Sequence, residues 1–156
     1  MLSILKLISS IFLCFAAGAV GSLFTVKEVR GWFQTLQKPP FAPPDWIFGP
    51  VWTVLYVLMG IAFYLIWMSD VPKPFRNFAM ILFMAHLIFN ALWSVLFFGM
   101  HSPAWAMVDI IVLWIMVMAL IGVFWTISQI AGLLLVPYGC WVSFAMVLNY
   151  AFWRLN

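Results

Sequence analysis

Apolar residues dominate five long stretches of the chain, and short polar segments separate them. The stretches cover about residues 4–26, 46–69, 76–100, 103–126 and 131–154. Each is long enough to cross a hydrocarbon layer of about 30 Å as a helix. Because lipid offers no partners to backbone N–H and C=O groups, a membrane-spanning segment of this kind must be helical. The pattern predicts an all-α integral membrane protein, a five-transmembrane-helix bundle that forms a single domain over residues 1–156.

The first stretch also has features of a cleaved signal peptide. Lys6 precedes the apolar run, and Ala17-Gly18-Ala19 resembles a small-residue cleavage site. The apolar character continues to Val26, which gives about 20 residues and exceeds a typical signal core. A membrane span is therefore the favoured interpretation, with the signal peptide as the alternative.

One face of this first span carries only small residues. They recur at helical spacing and are Ser10, Cys14, Ala17 and Gly21. A small face lets a second helix approach closely, either within the same chain or across a dimer.

One connection is much longer than the others. Residues 27–45 include Trp32, Phe33 and Phe41 together with four prolines, which favour a stiff, extended path. Long connections in compact proteins are usually functional. This loop is predicted to be a lid, and a plain spacer is the alternative.

Composition supports the membrane assignment and excludes several classes of function. The chain is 67% hydrophobic and 7% charged, whereas soluble domains have roughly 45–50% apolar and about 25% charged residues. Soluble enzymes and nucleic-acid-binding modules are excluded. The net charge is +3, and the seven Lys and Arg side chains are expected to contact lipid headgroups of the bilayer. These bases divide almost equally between the two sides of the membrane, so the positive-inside rule only faintly favours a cytoplasmic C-terminus.

Depth and helical phase bring unusual residues together inside the membrane. Counting about 1.5 Å per residue from the side of loop 27–45 gives two layers: Trp52, Trp93, Asp109 and Asn149 at roughly 8–10 Å, and Tyr56, Asn90 and Ala145 at about 14 Å. Trp141 shares one helix face with Ala145 and Asn149. Polar groups at this depth face the protein interior. All of these residues except Asp109 are predicted to line one aromatic chamber beneath the loop.

Each candidate also has a purely structural interpretation. The indoles of Trp52, Trp93 and Trp141 fill a bundle interior well, and Asn90 and Asn149 are suited to interhelical hydrogen bonds.

Two further residues deep inside spans, His86 and Asp109, are given structural roles. His86 is interpreted as a satisfied interior histidine, because nothing beside it completes a metal site, and no metal is expected. Asp109 is predicted either to form an ion pair, with Arg154 as the first candidate and a base of loop 27–45 as the alternative, or to be protonated.

The catalytic arrangements of common enzymes are absent from the sequence. It contains no Ser/His/Asp or Cys/His arrangement, no paired carboxylates and no phosphate-binding glycine loop. Hydrolase and ATPase functions are excluded. An inverted-repeat transporter is disfavoured, because five spans do not divide into two equal halves.

Residues 32–60, which read WFQTLQKPPFAPPDWIFGPVWTVLYVLMG, closely resemble the signature of the tryptophan-rich sensory protein/translocator protein family (TspO/MBR family). Residues 90–98, Asp109 and residues 145–156 are also similar to this family. The resemblance covers essentially the whole chain, and it suggests a bacterial member in the cell membrane.

The resemblance implies a five-helix bundle, commonly a homodimer, with a pocket for aromatic ligands. Its ligands would be tetrapyrroles such as protoporphyrin IX, benzodiazepine-type and isoquinoline carboxamide drugs and, in eukaryotic members, cholesterol. No tightly bound cofactor is expected. By motif position, Trp52, Tyr56, Asn90, Trp93, Trp141 and Ala145 match pocket residues, and Trp32 matches the covering loop. Leu148, Tyr150 and Arg154 fit a proposed cholesterol pattern that is too weak to imply sterol binding.

Three functions remain open for such a pocket. A receptor or sensor is favoured, with ligand propionates meeting Lys38 or Arg30 at the mouth. Bacterial relatives are associated with light-dependent porphyrin breakdown, for which Trp52, Trp93 and Trp141 are the candidate reactive groups. The alternative is a transporter of tetrapyrroles or sterol-like lipids.

Overall fold

The computed structural model describes residues 2–156, and every regular element in that range is helical. Five long helices form the bundle: α1 (Leu2–Val29), α2 (Phe48–Trp67), α3 (Lys73–Ser94), α4 (Pro103–Ile127) and α5 (Gln129–Leu155). All five are long and apolar enough to cross a membrane. The predicted fold class, an all-α membrane bundle of five spans, is confirmed.

Three short elements complete the architecture. Two 3-10 turns lie in the first loop, which we define as residues 30–47, and they span Trp32–Thr35 and Asp45–Ile47. A π-helical turn, Val95–Gly99, continues α3 to its end. The upper half of the bundle is the half nearer to the first loop.

Helix α1 extends further than the sequence pattern predicted. The first apolar stretch ends at residue 26, but the helix continues through Lys27 and Glu28 to Val29. Charged side chains do not end a helix that leaves the hydrocarbon, and Lys27 in the last turn interacts favourably with the helix dipole. The first loop therefore begins three residues later than the predicted 27–45, and it also ends two residues later, because α2 begins at Phe48.

The connection between α4 and α5 is an abrupt turn at Ser128. Its hydroxyl oxygen accepts a hydrogen bond from the Ala131 N–H at 3.3 Å and so caps α5. A Cβ added to Gly132 would lie 2.8 Å from the Cα of Trp125. The two helices can pack this closely at the turn only because residue 132 is glycine.

The small residues of α1 pack within the same chain. Gly18 lies against the ring of Tyr56, and Gly21 lies against Ser94. From the other side, Gly60 of α2 approaches the backbone of Ile11 so closely that an added Cβ would be 2.6 Å from its Cα. Of the two predicted roles for the small face of α1, close approach within the chain is the one observed.

The two halves of the bundle are packed differently. In the lower half, Phe83 stacks between Phe63 and Phe124, with ring centroids 4.7 and 5.8 Å apart. All three rings are buried. The upper half instead contains a cavity.

Candidate functional site

A cavity of about 340 Å³ lies in the upper half, with walls contributed by all five helices and by the first loop. Seven of the residues predicted to meet inside the membrane line it: Trp52, Tyr56, Asn90, Trp93, Trp141, Ala145 and Asn149. The predicted faces of α2, α3 and α5 therefore meet around one space.

A chain of hydrogen bonds through Asn90 joins three helices at the cavity floor. The Tyr56 hydroxyl donates to Asn90 Oδ1 at 3.1 Å, and Asn90 Nδ2 donates to the Tyr138 hydroxyl at 3.0 Å. Asn90 and Tyr138 are both buried. The amide of Asn90 is thus an interhelical link, as its structural interpretation predicted, and it also lines the cavity.

A second amide links the opposite wall. Trp93 Nε1 donates to Asn149 Oδ1 at 2.9 Å, and Asn149 Nδ2 donates to the Pro103 carbonyl at 2.8 Å. Residue 103 begins α4, so the contact joins α3, α5 and the start of α4. These bonds hold the indole of Trp93 in one orientation against the cavity.

The other two indoles lie on the α2 and α5 walls. Trp52 stacks on Tyr56 with ring centroids 5.3 Å apart and an interplanar angle of 28°. Trp141 meets Phe48 edge to face at 5.8 Å. Trp52 and Trp141 are both partly buried, so indole surface faces the cavity space.

The π-helical turn at the end of α3 adds two rings that the sequence pattern did not foresee together. Phe97 and Phe98 are consecutive, yet both are buried and both line the cavity. The wider π turn changes the angle between successive side chains, and such turns are frequent at functional sites. In an ideal α-helix, two consecutive side chains point about 100° apart and do not both face one narrow site.

The α1 wall was also missed as part of the site. Ala17, Gly18 and Gly21 line the cavity, although the sequence indicated only that Ala17 and Gly21 belong to a helix face of small residues.

The residues of the cholesterol pattern lie in different environments. Leu148 lines the cavity, while Tyr150 and Arg154 are exposed. The three residues of the cholesterol pattern therefore do not share one surface.

The residue that closes the top of the cavity is Phe33 rather than Trp32. Phe33 is buried and lines the cavity, whereas Trp32, which was predicted as a ligand contact, does not line it. Successive residues of a 3-10 turn point about 120° apart, so only one of the pair faces inward. Trp32 instead stacks on His101 at 4.4 Å, and His101 Nε2 lies 3.0 Å from a carboxylate oxygen of Glu28.

The prediction of an ion pair between Asp109 and Arg154 is wrong. Asp109 is buried, and within residues 2–156 neither of its carboxylate oxygens has a hydrogen-bond partner. Arg154 is exposed. It follows Asn149 by five residues, which rotates it about 140° around α5 from the inward-facing amide.

His86 is also less fully paired than predicted. Its Nδ1 hydrogen-bonds to the Phe83 carbonyl, but its buried Nε2 has no partner among the described residues. Within residues 2–156, no group of three or more His, Cys, Asp or Glu side chains is placed to hold a metal ion.

The fold and the site together define a multi-pass membrane protein with an intramembrane cavity walled by aromatic side chains. The sequence profile of the TspO/MBR family matches residues 10–154. The chain belongs to the TspO/MBR family.

Relatives from three domains of life match nearly the whole chain. The tryptophan-rich protein TspO of Chlorobaculum tepidum is 45% identical, over 98% of this chain and 97% of the relative. The protein of the same name from Archaeoglobus fulgidus is 44% identical, over 99% of both chains. The human translocator protein is 37% identical, over 88% of this chain and 82% of its own length.

Proposed function

We propose that this protein is a membrane receptor or sensor that binds flat aromatic ligands in its upper cavity. Tetrapyrroles such as protoporphyrin IX are the first ligand class, and benzodiazepine-type and isoquinoline carboxamide compounds are the second. The observation that carries the proposal is the cavity itself, in which three indoles from three helices surround one apolar space.

The chemistry of the walls suits such ligands. Flat aromatic rings stack favourably on indoles, with about 0.5–1.5 kcal/mol per pair beyond burial of apolar area. The side-chain polar groups of Tyr56, Asn90 and Asn149 already have hydrogen-bond partners within the protein, so an apolar ligand leaves none of these three unpaired. The volume of about 340 Å³ lies at the small end of the range of about 300–1,000 Å³ typical of pockets for drug-sized ligands.

Transport is the second candidate function, and the names of several relatives favour it. The human and bovine relatives are called translocator proteins, while a relative from Cereibacter sphaeroides is called a tryptophan-rich sensory protein. Time-dependent accumulation of protoporphyrin IX inside proteoliposomes, in the dark, would favour transport. Saturable binding without accumulation would favour the receptor.

The direct test of the receptor proposal is a titration of the purified protein with protoporphyrin IX in the dark, followed by quenching of tryptophan fluorescence. Ala145→Thr adds volume to the cavity wall, and overpacking an interior typically costs about 1–3 kcal/mol. We expect its Kd to be at least about fivefold higher than that of the parent.

Ala119→Thr is the matched control for this titration, because Ala119 is exposed on α4 and outside the cavity lining. Its Kd should equal that of the parent. Equal Kd values for both variants, or no saturable quenching by the parent, would contradict binding in this cavity.

A further inference from the structure

The cavity lining is almost free of formal charge. Among the lining residues, Asp45 is the one carboxylate, and no lysine or arginine is present. Asp45 begins the second 3-10 turn of the first loop, at the upper end of the cavity. Any charge selection by the described part of the cavity must therefore start from this carboxylate and the groups that contact it.

Two side chains from the same loop hold Asp45. Lys38 Nζ lies 3.2 Å from its Oδ1 and 3.4 Å from its Oδ2, and Gln34 Nε2 donates to its Oδ2 at 2.8 Å. Gln34 is anchored in turn to the Val29 carbonyl at 2.7 Å. We call Gln34, Lys38 and Asp45 the mouth cluster.

Lys38 is the basic residue that the structure connects to the cavity wall. Its ammonium lies 4.6 Å from the ring centroid of Phe33, which lines the cavity and is buried. It therefore contacts two lining residues, Phe33 and Asp45. Arg30, the other base considered for a ligand carboxylate, is exposed just beyond the end of α1.

We propose that the mouth cluster sets the charge selectivity of the cavity: Lys38 binds the carboxylate of an anionic ligand, and Asp45 competes with that carboxylate for Lys38. The proposal rests on the proposed function and names the ligand's chemical class as a flat macrocycle with a carboxylate at its rim. Asp45 thus weakens the binding of anionic ligands without being needed for neutral ones.

The competition is physically feasible because the existing pair is weak. Both side chains of the Lys38–Asp45 pair are one-third exposed, and exposed ion pairs contribute little to stability because water screens them. A ligand carboxylate can take the place of Asp45 beside the ammonium at small cost. Two carboxylates close to one ammonium then repel each other, so the entering ligand binds less tightly than it would beside Lys38 alone.

The test compares protoporphyrin IX with its dimethyl ester, which has the same ring and no carboxylate. Each Kd is measured by fluorescence quenching in the dark, and the quantity of interest is the Kd of the free acid divided by that of the ester. Asp45→Asn should lower this ratio about threefold to fivefold, because the free energy of an exposed ion pair corresponds to a factor of this size. Lys38→Gln should raise it by a similar factor.

Two control variants remove the same charges elsewhere. Arg30→Gln removes a base at the same end of the molecule, and Asp70→Asn removes an exposed carboxylate in the loop between α2 and α3. Both should leave the ratio at the parental value. Because both ligands are titrated into one preparation, partial misfolding of a variant lowers the amount of active protein and does not move the ratio.

The possible outcomes separate this proposal from the one on which it rests. If the ester binds but neither Asp45→Asn nor Lys38→Gln moves the ratio, the mouth cluster does not select by charge, although the receptor proposal stands. An equal shift in Arg30→Gln would assign the selectivity to general surface charge and overturn the role of Lys38. Failure of both ligands to bind the parent refutes both proposals.

Discussion

His101 connects three segments at the upper end of the molecule, and its backbone has an unusual conformation. Its φ of 51° lies in the left-handed region, which residues other than glycine adopt uncommonly. The side chain stacks on Trp32 of the first loop and pairs with Glu28 of α1. The contacts of this one residue offset the backbone cost and hold the first loop over the cavity.

The variant His101→Gly tests this role, because glycine adopts the same φ without strain and has no side chain to hold the loop. An aromatic pair contributes about 0.5–1.5 kcal/mol, so we expect the amides of Trp32–Thr35 to exchange with deuterium up to about tenfold faster. Exchange in α4 should be unchanged. Parental protection of the first loop in this variant would show that His101 does not hold it.

Asp109 presents the opposite situation, a buried polar group without a partner. Leaving such a group unpaired costs about 1–3 kcal/mol, and a carboxylate at this depth is unfavourable in lipid as well. We therefore expect Asp109→Leu, which has a similar shape, to raise the free energy of unfolding by up to about that amount. Unfolding midpoints in detergent measure the effect, and a lower midpoint than the parent would mean that the carboxylate does have a stabilising partner.

At the scale of helices, two glycines allow the close approach of α1 to be tested. A Cβ at Gly60 would lie 2.6 Å from the Cα of Ile11, whereas a Cβ at Gly122 of α4 would meet nothing within 4 Å. Backbone atoms cannot rotate away, so Gly60→Ala should force α1 and α2 apart and destabilise the bundle by about 1–3 kcal/mol.

Gly122→Ala is the matched control, and its better helix propensity should leave stability unchanged or raise it by up to about 1 kcal/mol. Equilibrium unfolding of the two variants, carried out side by side, measures the difference. Similar stabilities would mean that α1 is not packed against α2 as the structure shows.

At the scale of the whole molecule, the three indoles of the cavity bear on photochemistry, because the one carboxylate of the described lining, Asp45, is already paired with Lys38 at the mouth. If light degrades porphyrin bound here, with dioxygen as the oxidant, the participating protein group should be Trp52, Trp93 or Trp141. Changing such a tryptophan to phenylalanine keeps an aromatic surface and removes the indole. We expect near-parental porphyrin binding and much slower loss of its absorption band under illumination for at least one of the three variants.

Trp46→Phe is the control for these measurements, because Trp46 is 72% exposed and does not line the cavity. Its rate of light-driven loss should equal that of the parent. Parental rates in all three cavity variants would show that the protein only holds the porphyrin while light and oxygen do the chemistry.

The sequence by itself determined the number of spans, the all-helical class and the meeting of Trp52, Asn90 and Trp141 around one space. These features follow from rules that act along a single helix, because lipid requires internal hydrogen bonding and polar groups at depth turn inward. Helical periodicity then assigns each residue a face without knowledge of its neighbours. The resemblance to the TspO/MBR family was likewise readable from residues 32–60.

Only the tertiary structure decided how those faces are completed. Gly18 as a cavity wall, the mouth cluster around Asp45, and the separation of Asp109 from Arg154 all depend on which elements meet and at what distance. Helical phase could not anticipate the π turn that turns both Phe97 and Phe98 inward, nor the 3-10 turn that presents Phe33 in place of Trp32. The physical reason is that periodicity describes one helix, whereas a cavity is the space left where several elements fail to touch.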